Sequence, residues 1–450
     1  MRTPIALAIC VSLIEASTAT VSFAEGPVAA NKNDSEWTVA YKSGLAAGQR
    51  HDNEEARAIF EQAWGTSSTP LQRGAAANGV GVAYGRLGRT NEAKEWLERA
   101  RQAFGTDPRL ASRLAATVMD LADLHRTAGD YGTAEHLLRD VLASPSCSAE
   151  STCDVQSRGF LLNNLGDLLR EEGRTAEAQP LFKESIDLAI SNLGTSNWRQ
   201  RVGALIGLAD IGRQEGEWAD SIKHWNEAIE ICHRERDEKS EAIAIRGLGV
   251  TWLHAGSAAR AEPLLRRSLR IMEDNPGLPA EELASTHSGL AELYRSENKL
   301  AMAEDEWSRA LRIDQMALGD AHPQVAVLME MLSEVYSARG EPGPARDYAT
   351  RASDTMTSSF GENSMPVATA LLNQALVEER AGDLGGAAKH YERAIGIARF
   401  HPEHRPLQAV MIRRYAGLLK TMHRSREAKA LLANGDTEGQ RALSRFARIP

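Results

Sequence analysis

The sequence predicts an all-α solenoid of stacked antiparallel helix pairs, and three observations carry that prediction. A pattern of small and large residues at helical spacing returns about every 42 residues along the 450-residue chain. Glycine, or once asparagine, returns in phase with it where a helix must stop. The composition is rich in alanine and only 5% aromatic, which suits close-packed helices better than sheets of Val, Ile and Tyr.

Each unit of the pattern reads as two helices. The first carries a small residue at a fixed position: Gly44, Gly81, Ala122, Gly166, Ala209, Gly249, Ala291, Ser333, Ala375 and Ala416. Seven residues on come Gly88, Gly129, Gly173, Gly216, Gly256, Asn298, Gly340 and Gly382, residue types that tolerate the left-handed conformation ending a helix. The second helix carries Ala56, Ala93, Ala134, Ala178, Ser221, Ala261, Ala303, Ala345, Ala387 and Ala428. Four residues later stand Phe60, Leu97, Leu138, Phe182, Trp225, Leu265, Trp307, Ala349, Tyr391 and Leu432. A small residue on the first helix lets the second approach, and the large residue fills the space beside it. One such hairpin cannot bury its own face, so neighbours must stack. Pro70, Pro108, Pro323 and Pro342 mark helix starts, where a missing N–H costs nothing.

Arg2, the apolar run Ile5–Ile14 and Ser22-Phe23-Ala24 form an export signal cut after Ala24. The expected organisation is a signal over residues 1–24, a flexible mature N-terminus over 25–36, about ten helix pairs over 37–434, and a tail or capping helix over 435–450. Export to a periplasmic or secreted location follows, with a cytoplasmic chain as the alternative. In an oxidising compartment Cys147 and Cys153, in one loop segment, close a short disulfide, the alternative being two free thiols. Cys232 lies in a helical pattern and reads as a core residue.

The chain carries 52 basic and 61 acidic residues, a net charge of −9. That balance argues against general nucleic-acid binding. The only long apolar run is the N-terminal one, too short to span a bilayer. No phosphate-binding Gly-rich loop, Gly-x-Ser-x-Gly or His-Glu-x-x-His motif occurs, so no catalytic residue, metal site or cofactor is expected. His401 and His404 are the closest histidine pair and read as a solvated turn at a helix start. Trp225 and Trp307 occupy packing positions, whereas the exposure of Trp198, at a helix start, is open.

These units resemble the tetratricopeptide repeat family, whose helix pairs stack into a right-handed superhelix. Arg309-Ala-Leu-Arg-Ile-Asp-Gln-Met-Ala-Leu-Gly-Asp-Ala-His-Pro-Gln-Val-Ala and Leu290-Ala-Glu-Leu-Tyr are similar to the longer, kinesin-light-chain type of repeat. The resemblance spans roughly residues 37–434. It implies that the first helices line a concave groove whose polar positions meet a ligand.

On those helices Asp123, Asp167, Asp210, Glu292 and Glu334 follow the small anchor, and Arg126, Arg170, Arg213 and Arg295 stand three residues further. Each of the first four acids shares a helical face with its own Arg, so units stacked in phase make a ladder of alternating charge. Asn163, Asn164 and Asn373 fall near the place where related repeats present Asn to a peptide backbone. The alternative is a solvated charged face worth a few tenths of a kcal/mol per pair. The function expected is a non-catalytic scaffold that holds a partner protein or extended peptide in the groove. The second reading is an accessory or regulatory subunit of an enzyme or envelope assembly, with the chemistry on the partner. Homo-oligomerisation stays open.

Overall fold

The computed structural model describes residues 32–50, 52–144, 155–191, 197–275, 277–401 and 404–433. The export signal, Cys147, Cys153 and the tail from 434 lie outside the described residues. Among those described there are twenty α-helices and no strand. They form ten consecutive pairs: α1 (Lys32–Gln49) with α2 (Asn53–Gly65), α3 (Pro70–Arg86) with α4 (Thr90–Phe104), and α5 (Ala111–Thr127) with α6 (Tyr131–Ala143). Next come α7 (Val155–Glu171) with α8 (Thr175–Ser191), α9 (Trp198–Glu215) with α10 (Trp218–Glu235), and α11 (Glu238–His254) with α12 (Ala258–Asp274). Then follow α13 (Ala280–Ser296) with α14 (Leu300–Leu318), α15 (Pro323–Ala338) with α16 (Pro342–Phe360), and α17 (Met365–Arg380) with α18 (Leu384–Ala398). The last pair is α19 (Arg405–Thr421) with α20, residues 425–433. Helix α1 starts at Lys32, so it includes residues that the sequence assigned to a flexible stretch before 37.

The repeat positions do what their sizes dictate. All ten small anchors on the first helices are buried, as are their ten counterparts on the second. A Cβ built on Gly44 would lie 2.8 Å from the Phe60 ring, on Gly81 2.7 Å from Leu97, and on Gly166 2.8 Å from Phe182. Several of the large residues meet a glycine on the next pair. Gly79 faces Phe60, Gly207 faces Phe182 and Gly247 faces Trp225 with room for hydrogen only, and a Cβ on Gly289 would lie a tight 3.1 Å from Leu265. One aromatic or leucine is thus clamped between two first helices, and this joins pair to pair. The exceptions compensate: the eighth pair has Ala349 at the large position, and the corresponding glycine of the next pair is replaced by the buried Asn373. Trp225, Trp307 and Cys232 are buried core residues, and Trp198 is half-buried beneath Arg199.

The turns inside the pairs share one geometry. Gly88, Gly129, Gly173, Gly216, Gly256, Gly340 and Gly382 all have φ between +71° and +82°, and Asn298 has +59°. The next residue donates its N–H to the carbonyl five back, as in Arg89 to Tyr84 (2.9 Å) and Lys299 to Tyr294 (2.8 Å), the bond that closes a helix C-terminus. In the tenth pair His423 takes this role at φ +62°. Asp52, Asp130, Asp237 and Asp383 cap the helices that follow them by accepting a backbone N–H.

Successive first helices (α1, α3, α5 and onward) lie against one another, whereas successive second helices splay apart. The first helices therefore line the inside of the curve. The curvature brings distant parts of the chain together: α4 touches α16, six pairs later.

Candidate functional site

The inner face is built from the C-terminal halves of the first helices. Four of the five acids expected there pair with their own Arg one helical turn on; Glu334 has Ser337 at that place. Arg126 bonds Asp123, Arg170 reaches Asp167 at 3.4 Å, Arg213 bonds Asp210 at 2.7 Å, and Arg295 Nε bonds Glu292 at 2.8 Å. The ladder also continues between pairs. Arg126 Nη1 bonds Glu171 Oε1 at 2.6 Å, and Arg213 Nη1 stands 3.4 Å from His254 Nδ1.

Exposure divides the two charges. The side chains of Arg126, Arg170 and Arg213 are 9%, 6% and 9% exposed. Asp123 keeps 32% and Asp167 42%. The guanidinium groups are turned into the stack, where Arg126 satisfies carboxylates of two pairs and Arg170 and Arg213 those of their own pair. The carboxylates of the third and fourth pairs are what solvent meets. Asp167 opens only onto the groove and is enclosed by protein on its other sides, which pushes its carboxyl up to about 6 against the lowering effect of Arg170. Burial likewise lifts Glu334 to about 7, opposed by Arg295 and Arg380, and Asp120 to about 7, opposed by its hydrogen bond from Asn78. His254 is pushed down to about 4 by burial and by Arg213.

The asparagines serve the stack. Asn163 is buried and donates to the Gln200 carbonyl of α9 at 2.9 Å. Asn164 donates to its own helix at Phe160 and touches the Met119 sulfur. Asn373 is 3% exposed, and neither atom of its amide has a hydrogen-bond partner among the described residues.

Several inner-face residues were missed from the sequence. Glu171 follows the Arg position directly, and this adjacency was a usable signal. Arg246 and Glu282 form a buried ion pair between the sixth and seventh pairs at 3.1 Å. The sixth pair has Val250 and Leu253 where its neighbours have acid and Arg, so the ladder is interrupted there. Among the described residues no group of three or more His, Cys, Asp or Glu side chains is arranged to hold a metal ion. No described helix is long and apolar enough to cross a membrane.

A curved stack of ten helix pairs with a polar inner stripe defines a superhelical repeat protein of the interaction-scaffold kind. The chain belongs to the tetratricopeptide repeat family, and its long repeats are of the kinesin-light-chain type. Family models described as tetratricopeptide repeat match residues 41–108, 161–198, 200–274, 282–358 and 331–402. The chain is 22% identical over 267 residues to the protein kinesin light chain-related 2 of Arabidopsis thaliana, covering 56% of this chain and 38% of that one. It is 28% identical over 126 residues to the mitochondrial tetratricopeptide repeat protein 19 homolog of Drosophila melanogaster, covering 28% and 34%. The matched regions thus span 38% or less of the length of these relatives. A solved Rap protein complexed with Competence and Sporulation Factor has the same fold, with a TM-score of 0.51 at 10% identity over 83% of this chain and 99% of that chain.

Proposed function

We propose that the chain is a non-catalytic scaffold that holds a partner protein, or an extended segment of one, along the inner face of its superhelix. The observation that carries this reading is the stripe at Asp123 and Asp167, where two adjacent pairs expose carboxylates while the paired arginines are tucked away. A surface kept polar and charged at the same position of successive helices suits many shallow contacts on a preformed wall. The accessible charge at Asp123 and Asp167 is acidic, which favours a partner stretch bearing Lys or Arg over an acidic one. Export, a periplasmic or secreted site of action and the Cys147–Cys153 disulfide belong to the same proposal.

Reversing Arg126, Arg170 and Arg213 would place like charges inside the stack and break the fold. The informative variant is Asp123→Asn with Asp167→Asn. In-cell crosslinking of the wild type is expected to capture a defined partner, and the double variant, with unchanged helicity, to lose about tenfold of that capture. Equal capture by both would remove the inner stripe from the binding surface.

A further inference from the structure

Two early turns touch late helices, whereas the equivalent glycines of four other pairs meet no described residue. A Cβ on Gly88 would lie 3.2 Å from His322 Cα and from Pro323 Cδ, at the start of α15. A Cβ on Gly129 would lie 2.8 Å from Met365 Cβ and 3.4 Å from His404 Nε2, at the starts of α17 and α19. The equivalent glycines Gly173, Gly256, Gly340 and Gly382 have open space around them. His404 Nε2 donates to the Gly129 carbonyl at 2.9 Å across 275 residues, and its ring lies 4.7 Å from Tyr131. The sequence reading of His404 as part of a solvated turn is therefore overturned. Arg86, at the end of α3, is within electrostatic reach of Glu281 at the start of α13.

The offsets cluster around six: the second pair meets the seventh and eighth, and the third meets the ninth and tenth. The superhelix completes a turn in about six pairs, and consecutive turns abut edge to edge along a seam. The turns of the early pairs form one lip, and the N-termini of the late first helices form the other.

We infer that this seam is a latch that closes the inner face into a tube and opens by a change of superhelical pitch. The contrast in packing supports this. Between adjacent pairs, large side chains such as Phe60, Phe182 and Leu265 are fully buried between two helices. The contacts seen across the seam include the imidazole–carbonyl bond, the Tyr131–His404 ring contact, the close approaches at Gly88 and Gly129 and the approach of α4 to α16. Regions held by few apolar contacts open first, and a solenoid distributes a pitch change as small rotations at every pair. Opening parts Gly129 from Met365 and His404 without unstacking any pair. That the opened seam admits a partner from the side rests on the scaffold reading above. The test contains no partner, so it succeeds or fails independently of that reading.

The test compares Gly129→Ala with Gly256→Ala in the full chain. Both glycines have φ +78°, so both variants bear the same backbone strain, but only the first meets a neighbour. Small-angle scattering and hydrogen exchange are the readouts. Gly129→Ala is expected to enlarge the radius of gyration and to speed exchange at the starts of α17 and α19 by about tenfold, with Gly256→Ala at wild-type values for both. Matching behaviour of the two variants overturns the latch, as does a wild-type scattering curve already too extended for a closed seam. A second arm covers loss of helicity in Gly129→Ala. Arg89→Cys with Ala321→Cys, exposed neighbours of Gly88 and His322 that make none of the seam contacts above, in a Cys147→Ser, Cys153→Ser background, is treated with a short bismaleimide. Near-complete intramolecular crosslinking that slows exchange at the seam supports the latch, and failure to crosslink overturns it.

Discussion

Asp314 lies on the packed side of α14, 4% exposed, and its Oδ1 has no hydrogen-bond partner among the described residues. Burial, with Glu281 and Glu282 nearby, pushes its carboxyl from 3.8 up to about 8. A raised folded-state value means that the protonated form stabilises the fold fully below pH 3.8 and that this contribution is lost progressively as the pH rises from there to about 8. The wild-type Tm is therefore expected to fall between pH 6 and pH 8 and to level off above it. Asp314→Asn, which cannot ionise, should remove most of the fall, so that the difference between the two Tm values moves by about 2–4 °C in favour of the variant across that range. Parallel melting curves for the two proteins across that range would show that Asp314 is not held neutral. His254 and His322 act in the opposite direction. Burial pushes both down to about 4, so the stability they contribute is complete above 6.5 and is lost as pH falls from there towards 4.

At the scale of the helix, the spacing of two glycines around one large residue decides how closely pairs stack. Gly207 sits mid-helix in α9, where alanine would ordinarily gain about 1 kcal/mol of helix propensity. Its Cβ would lie 2.2 Å from the Phe182 ring, so overpacking prevails and Gly207→Ala is expected to lose about 1–3 kcal/mol by urea unfolding. Adding Phe182→Leu should recover part of the loss; a stabilised single variant would contradict the clamp. This layer was legible in the sequence because it depends on residue size at a fixed phase: Gly81 with Leu97 and Gly166 with Phe182 could be paired from spacing alone. The left-handed turns were legible for the same reason, except at His423, whose residue type gives no warning. The charged stripe was half legible. The positions of Asp167 and Arg170 follow from the helical period, but which of the two faces solvent depends on how far the next pair rotates. Asn163 shows the same limit. Its place near the groove was readable, but its bond to the Gln200 carbonyl depends on the contact between pairs.

For the whole molecule, the packing is uneven along the stack. One continuous apolar core runs from Val250 to Ala428 through the last five pairs. The earlier pairs are divided among several smaller clusters, such as those around Phe60, around Phe104 and around Phe182. In a solenoid each pair is stabilised by its neighbours, so local stability follows local packing. Hydrogen exchange in increasing urea is expected to show α3–α6 losing protection before α13–α18. Simultaneous loss over the whole chain would mean that the seam, or some other coupling, makes the stack a single cooperative unit. The seam belongs to this scale, and the sequence alone did not reveal it. Nothing near Gly129 indicates that Met365 and His404 will lie against it, because that meeting is the sum of small rotations over six pairs.

The bond between Gly129 and His404 also sets an order of events during synthesis. A stack of helix pairs grows by nearest-neighbour contact, so each pair can dock as it leaves the ribosome. The early lip has to wait for a residue made 275 positions later. At about 5–20 residues per second that wait lasts tens of seconds. Throughout it the first three pairs are folded but hold an open edge, and anything in the cell that can sit on that edge competes with the chain's own C-terminal third for the place.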